Sequence, residues 1–108
     1  MIISTRTFYL RDKRNFPIAT VATELSELGG VFYGITSWNP KDVFDKALSR
    51  EIAIGRLEVN PSYLPVHENF KRAVITDIAN RRDLPKRTRE AAQRWLDAPR
   101  TEFMEGPL

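Results

Sequence analysis

The apolar pattern of the chain changes its period near Asn39-Pro40, and this change limits the possible folds more than any other feature. Before that point, β-forming residues alternate with polar ones in short runs. After it, apolar residues recur every three or four positions. Alternation is typical of half-buried strands, and the longer period is typical of amphipathic helices. The sequence therefore predicts strands first and helices after.

Three strands are predicted in the first part of the chain. They span residues 2–10, 17–25 and 31–36. A charged run at residues 11–15 and the pair Gly29-Gly30 separate them, and Pro17 is acceptable as the first residue of a strand. Strands joined by such short turns form an antiparallel meander.

Three helices are predicted to follow, over residues 40–57, 67–81 and 85–97. Asn39 can cap the first helix, since Pro40 suits the first helical position and Asp42 falls three residues after the cap. Residues 60–65 are predicted to form a loop, because two prolines there exclude a helix. The expected fold class is α+β, an N-terminal three-stranded antiparallel meander followed by about three helices.

The length of the chain predicts one domain over residues 1–98. A chain of 108 residues buries one modest core and has no room for a deep, walled site, so a large pocket is expected between subunits. Residues 99–108 are predicted to form a tail that is flexible or docked on a partner. No run has the apolar length of a membrane span and no signal peptide is evident, so a cytoplasmic protein is expected.

The composition argues against metal and nucleophilic chemistry. The chain has no cysteine and one histidine, His67, so thiolate zinc sites and cysteine nucleophiles are excluded. Asp42 and Asp45 are more simply explained as partners of a helix dipole than as metal ligands. No catalytic signature is present. We therefore predict no enzymatic activity, no catalytic residue, no metal and no cofactor.

Positive charge is concentrated in the C-terminal part. Residues 66–100 hold nine Lys and Arg against five Asp and Glu, although the net charge of the chain is only +3. These basic helices could follow a phosphate backbone or contact an acidic protein surface. They could equally be a solvated amphipathic face, because acidic residues interrupt the basic ones.

The first predicted helix carries candidate ligand contacts. Arg50 and Arg56 are of the residue type that recognises phosphate with two hydrogen bonds, and Trp38 could stack on a base. Gly55 inside the helix suggests close packing, approach of a ligand or the start of the C-cap. The alternative is that Trp38 belongs to the core and that the arginines are solvated or paired with Glu51 and Asp45.

Two runs on this helix resemble a family of small phage proteins. They are Asn39-Pro40-Lys41-Asp42-Val43-Phe44-Asp45-Lys46 and Arg50-Glu51-Ile52-Ala53-Ile54-Gly55-Arg56-Leu57. Their Asn-Pro-x-Asp-x-Phe start and Ile-Ala-x-Gly-Arg end resemble the first-described phage Thoeris anti-defence family. Proteins of that family are non-enzymatic and dimeric or built from dimers. They hold cyclic ADP-ribose-type messengers between subunits without cleaving them, and some take up cyclic di- and trinucleotides.

The resemblance implies a phage protein that sequesters a phosphate-bearing nucleotide signal in the cytoplasm of an infected bacterium, as a homodimer or a larger assembly of dimers. It implies Asn39 as a hydrogen-bonding ligand residue, Ile54 as an apolar wall and Arg56 as the phosphate contact. The base-stacking aromatic of the family has three candidates here: Phe32, Tyr33 and Trp38. The alternatives are a small basic nucleic-acid-binding protein, or an inhibitor that binds a host protein through its basic helical face.

Overall fold

A computed structural model describes residues 5–39 and 41–98. The strands are β1 (Thr5–Arg11), β2 (Pro17–Leu25), β3 (Val31–Ser37) and β4 (Ser62–Leu64), and the helices are α1 (Lys46–Val59), α2 (Phe70–Asn80) and α3 (Lys86–Asp97). The sheet has the order β1-β2-β3-β4, and all neighbouring strands are antiparallel. This confirms the α+β class and the N-terminal meander followed by helices. The predicted tail, residues 99–108, lies outside the described residues.

The predicted start of the first helix is wrong. Helix α1 begins at Lys46, and its cap is Asp45, whose Oδ1 accepts a hydrogen bond from the N–H of Leu48 at 3.0 Å. Asn39 instead accepts the N–H of Lys41 at 3.0 Å, which closes a turn. Asn and Asp side chains form turns and helix caps with the same type of hydrogen bond, so spacing alone does not separate the two roles.

The predicted loop at residues 60–65 contains a short strand. Strand β4 pairs with the first half of β3, from Val31↔Leu64 to Tyr33↔Ser62. Pro61 directly precedes this strand and Pro65 directly follows it. Neither proline therefore has to donate to the ladder, and a strand of three residues fits between them. The prolines exclude a helix, as expected, but they do not exclude strand pairing.

Helices cover both faces of the sheet. Alternate side chains of a strand point to opposite faces, so Val31, Tyr33 and Ile35 of β3 face α2 and α3 in the main core. The other face packs on α1 through a smaller cluster formed by Ala22, Ala53 and Leu57. The three helices and the sheet thus form three layers, with one helix on one face and two on the other.

Helix α1 lies closest to the sheet at Gly34. A Cβ atom at Gly34 would lie 2.4 Å from the backbone N of Leu57 and 2.6 Å from the carbonyl O of Ala53. Both neighbours are backbone atoms, which cannot rotate away. A Cβ at Gly55 would meet no atom within 4 Å outside its own stretch of helix. Close packing, one of the three explanations offered for Gly55, therefore occurs instead at Gly34, on the strand that α1 crosses.

A partly buried polar network centred on Tyr33 joins β3 to α2 and to β4. The hydroxyl of the fully buried Tyr33 donates to the carboxylate of Asp77 and accepts from Nη1 of Arg81 at 3.1 Å. The same Nη1 lies 3.3 Å from Oγ of Ser62, and Arg81 also forms an ion pair with Asp83. Burial raises the pKa of Tyr33 to about 12, and the hydrogen bond to Asp77 acts in the same direction. Side chains from separate segments therefore hold this side of the sheet together.

We expect Gly34→Ala to lower the free energy of unfolding by about 2 kcal/mol or more, because overpacking costs about 1–3 kcal/mol and the neighbours here are backbone atoms. Gly55→Ala is the matched control. Its methyl group enters open space, and replacing a glycine inside a helix stabilises by up to about 1 kcal/mol. Chemical denaturation of both variants measures the difference, and equal effects would contradict the packing described above.

The pKa of Tyr33 gives a prediction for alkaline pH. A group whose pKa is higher in the folded state, about 12 against 10.0, contributes stability below pH 10 and loses it as the pH rises through 12. We expect Tyr33→Phe to have a shallower loss of unfolding free energy than the wild type above pH 10. At neutral pH the variant should be less stable by about 1–3 kcal/mol, because Asp77 loses its donor. Denaturation curves at a series of pH values test both points, and identical pH profiles for the two proteins would refute the first.

Candidate functional site

The structure distributes the six predicted ligand-binding residues over three places. Trp38 and Asn39 follow β3, Arg50, Ile54 and Arg56 lie on α1, and Phe32 lies near the other end of β3. Phe32 is half-buried, and its ring lies against that of Tyr63, with 4.9 Å between the ring centroids. Arg50 is exposed and makes no hydrogen bond or ion pair within the described part of the chain. A single copy of the chain therefore does not bring the six together.

Ile54 and Arg56 leave α1 in nearly opposite directions, because two positions along a helix are about 200° apart. Ile54 packs against the small cluster beneath the helix. Nη1 of Arg56 donates to the carbonyl of Ile35 at 2.7 Å. Ile35 lies beyond the last β3–β4 pair, Tyr33↔Ser62, so Arg56 supplies a donor to β3 where β4 has ended. The side chain of Arg56 remains exposed on its outer side.

Trp38 and Asn39 line a cavity of about 360 Å³ between the end of β3 and the start of α3. Its other lining residues come from β2, β3 and the first turn of α3: Ile18, Ser37, Pro85, Arg87 and Thr88. The Oγ of Ser37 and the Oγ1 of Thr88 lie 2.8 Å apart, so a hydrogen bond fixes the start of α3 against β3. Two of the predicted ligand residues, Trp38 and Asn39, therefore line the same cavity as the cationic side chain of Arg87.

Trp38 is held in place by packing and by the backbone. Its N–H donates to the carbonyl of Ile18 at 2.7 Å, and its ring meets that of Phe44 edge-on at 5.3 Å. The indole Nε1 is buried and has no hydrogen-bond partner within the described residues. An unsatisfied buried donor costs about 1–3 kcal/mol. Trp38 therefore packs on Phe44, contributes to the cavity wall and carries an unused donor.

A second cavity, of about 600 Å³, adjoins the first and shares Ile18 and Arg87 with it. It lies between the β1–β2 turn and α3. Basic side chains line both walls, Lys13 and Arg14 from the turn and Arg87 and Arg94 from the helix. The acids among the lining residues are Asp12 and Glu90. We call the two adjoining cavities the basic groove.

The turn that carries Lys13 and Arg14 is held by Asp12. The Oδ1 of Asp12 accepts the N–H groups of Arg14 at 2.8 Å and of Phe16 at 3.0 Å. The hydrogen bond from Phe16 contributes most to lowering the pKa of Asp12, and Arg14 adds to it. Arg87 approaches this carboxylate only to 3.9 Å, which leaves its guanidinium available to the groove. Asp12 therefore acts as a turn acceptor, and its charge is already engaged.

The basic residues of the C-terminal helices do not form one surface. The ammonium of Lys71 lies over the rings of Phe8, at 5.0 Å, and of Trp95, at 5.5 Å. Arg81 belongs to the network around Tyr33, and Nε of Arg89 donates to the carbonyl of Leu84 at 3.2 Å. Of the basic residues in the range 66–100, Arg87 and Arg94 line the basic groove. These basic side chains are thus divided among internal contacts, the groove and open solvent, where Arg72, Arg82 and Lys86 lie.

The other wall of the groove is not predicted from the sequence. Lys13 and Arg14 belong to the charged run at residues 11–15, which the sequence predicts only as a turn. Tyr33, one of the three candidate stacking aromatics, is fully buried and cannot contact a ligand.

Within residues 5–39 and 41–98 no cluster of three or more His, Cys, Asp or Glu side chains could hold a metal ion. None of the helices described there is both long and apolar enough to span a bilayer.

Comparisons of the chain with protein-family models, with curated proteins and with solved structures found no match. The resemblance to the phage anti-defence family therefore stays a prediction that depends on the two runs described above. The chemistry of the basic groove is an independent observation, since it depends on tertiary contacts. Asn39 begins the first of the two resembling runs and also lines the basic groove.

The unused donor of Trp38 gives a prediction about this site. We expect Trp38→Phe to be far less destabilising than Trp38→Ala, because phenylalanine keeps the ring contact with Phe44 and removes the unsatisfied N–H. The alanine variant should lose about 3 kcal/mol of unfolding free energy, as large aromatic truncations do. Urea denaturation of the two variants provides the comparison. A Phe variant as unstable as the Ala variant would mean that the indole N–H has a partner.

Proposed function

We propose that this protein binds a phosphate-bearing, nucleotide-type ligand in the basic groove and holds it without chemical change. The observation that carries the proposal is the convergence of Trp38, Asn39 and Arg87 on one cavity. An aromatic ring suits a base, an amide suits its hydrogen-bonding edge, and a guanidinium suits a phosphate. These residues come from the end of β3 and from α3, so the fold is required to assemble them.

The electrostatics of the groove support an anionic ligand. Arg94 extends the positive charge along α3 from Arg87, and Lys13 and Arg14 face them from the turn. The cap position of α3 is Pro85, which offers no side-chain acceptor to the first N–H groups of the helix. The positive end of the helix dipole therefore adds to the charge of the side chains.

The resemblance supports a biological role for such binding. It implies that the ligand is an immune signal, a cyclic ADP-ribose isomer or a cyclic oligonucleotide, and that sequestration blocks host anti-phage defence. Asn39, the first residue of the resembling pattern, lines the basic groove. Arg56 does not line it in the same copy of the chain. A phosphate contact from Arg56 would therefore require a second subunit or a second site.

A longer polyanion is the second candidate ligand. The basic groove continues past Arg87 to Arg94, which favours a strand with several phosphates as well as a compact nucleotide. Single-stranded nucleic acid would bind with an affinity that falls steeply with salt. A compact ligand with one or two phosphates would be less sensitive to salt.

Native mass spectrometry with a panel of cyclic ADP-ribose isomers and cyclic di- and trinucleotides tests the proposal. We expect one panel member to bind and to be released with unchanged mass. Arg87→Ala should weaken its binding about 10- to 100-fold, because a charged hydrogen bond contributes about 1.5–3 kcal/mol. Arg82→Ala, an exposed arginine that lines neither cavity, is the control and should bind as the wild type does.

Two further outcomes would change the conclusion. Binding that survives Arg87→Ala and is lost in Arg56→Ala would contradict the groove and place the ligand on α1, as the resemblance implies. No binding of any panel member, with salt-dependent binding of single-stranded DNA that Arg87→Ala weakens, would favour the nucleic-acid function. A changed mass of the released ligand would contradict a non-enzymatic role.

A further inference from the structure

Helix α1 has a second apolar stripe that points away from its own sheet. Leu48, Ile52, Gly55 and Val59 follow one another at intervals of four, three and four residues, which are the a and d positions of a heptad. We call these four residues the α1 seam. Leu48 is 45% exposed and Val59 is 86% exposed. None of the four belongs to either core cluster. The fold of one chain therefore leaves both ends of this stripe exposed, and Ile52 and Gly55 between them are half-buried.

The seam has the shape expected of a helix–helix contact. On a straight helix its four residues fall within a narrow sector, about 130° from the centre of the face that packs on the sheet. A Cβ at Gly55 would meet nothing outside its own helix, so the backbone is accessible in the middle of the seam. Gly55 therefore permits a second helix to approach closely there. This gives the glycine a role that its position within one chain does not explain.

The charges beside the seam match a second copy of the same helix. Glu51 occupies heptad position g, and Arg56 occupies position e of the next heptad. In a parallel, in-register pair of helices, position g of one helix faces position e of the other, five residues further on. Glu51 of each copy would then meet Arg56 of the other, on both sides of the seam. An antiparallel pair would place Glu51 opposite Glu58, and these like charges repel.

We propose that two copies of this chain associate through the α1 seam as a parallel two-fold pair. A two-fold interface must be self-complementary, and the seam with its bordering Glu51 and Arg56 meets that requirement. Arg56 donates through Nη1 to Ile35, and its exposed outer side remains free for Glu51 of the second copy. Four seam positions on one helix of 14 residues make a short interface, so the association should be weak and reversible.

Sedimentation equilibrium of the full chain, from about 1 to about 500 µM, measures this association directly. We expect a reversible monomer–dimer equilibrium that Leu48→Glu weakens at least tenfold. Leu48 is half exposed and lies outside the core clusters, so this variant should fold, and circular dichroism verifies that it does. Arg50→Glu is the matched control. It reverses a charge on the same helix, about half a turn away from the seam, and should leave the dimer unchanged.

Charge reversal tests the parallel arrangement. Glu51→Arg and Arg56→Glu should each weaken self-association, whereas an equimolar mixture of the two variants should recover a heterodimer. A chain that is monomeric over the whole concentration range, or a dimer that Leu48→Glu does not affect, would overturn the proposal. A mixture without recovery would overturn the parallel pairing. The ligand plays no part in these measurements, and Arg87 lies outside the seam, so failure of the groove proposal is separately visible.

Discussion

The arrangement of the molecule depends on the close contact between α1 and β3 at Gly34. Because no side chain stands between the strand and the helix, the backbone of α1 lies directly on β3 at Leu57 and Ala53. This contact sets the rotation of the helix about its own axis. It directs Arg56 to the edge of β3 and leaves the opposite flank, with Arg50, to solvent. The outward direction of the α1 seam follows from the same rotation.

The other face of the sheet is organised by polar contacts as well as by the apolar core. Tyr33 connects β3 to α2 through Asp77, and the Ser37–Thr88 hydrogen bond connects it to α3. These bonds place the first turn of α3 beside the end of β3. The basic groove forms because α3 is held there, opposite the β1–β2 turn. Residues that are far apart in the sequence thus become the two walls of one site.

The two proposals assign different functions to two surfaces of the protein, the basic groove and the α1 seam. The basic groove collects cations around an aromatic ring and an amide, an arrangement suited to recognition of a nucleotide. The α1 seam is apolar with charged borders, an arrangement suited to a second copy of the chain. Arg56 is the residue at which the proposals meet, because the resemblance assigns it to a phosphate and the seam assigns it to Glu51. Variants of Arg87 and Leu48 separate the two functions.

The sequence by itself determined the order of the elements, because the period of the apolar residues records which face of a strand or helix is buried. It also indicated Pro17 as the start of a strand. The assignment of Trp38 and Asn39 to a ligand site stays a prediction. Only the tertiary structure decided between Asn39 and Asp45 as the cap of α1, since both side chains can accept the same hydrogen bond. It alone revealed β4, the role of Gly34 and the second wall of the basic groove. Each of these depends on contacts between segments that are distant in the sequence. The local spacing of residues gives no information about such contacts.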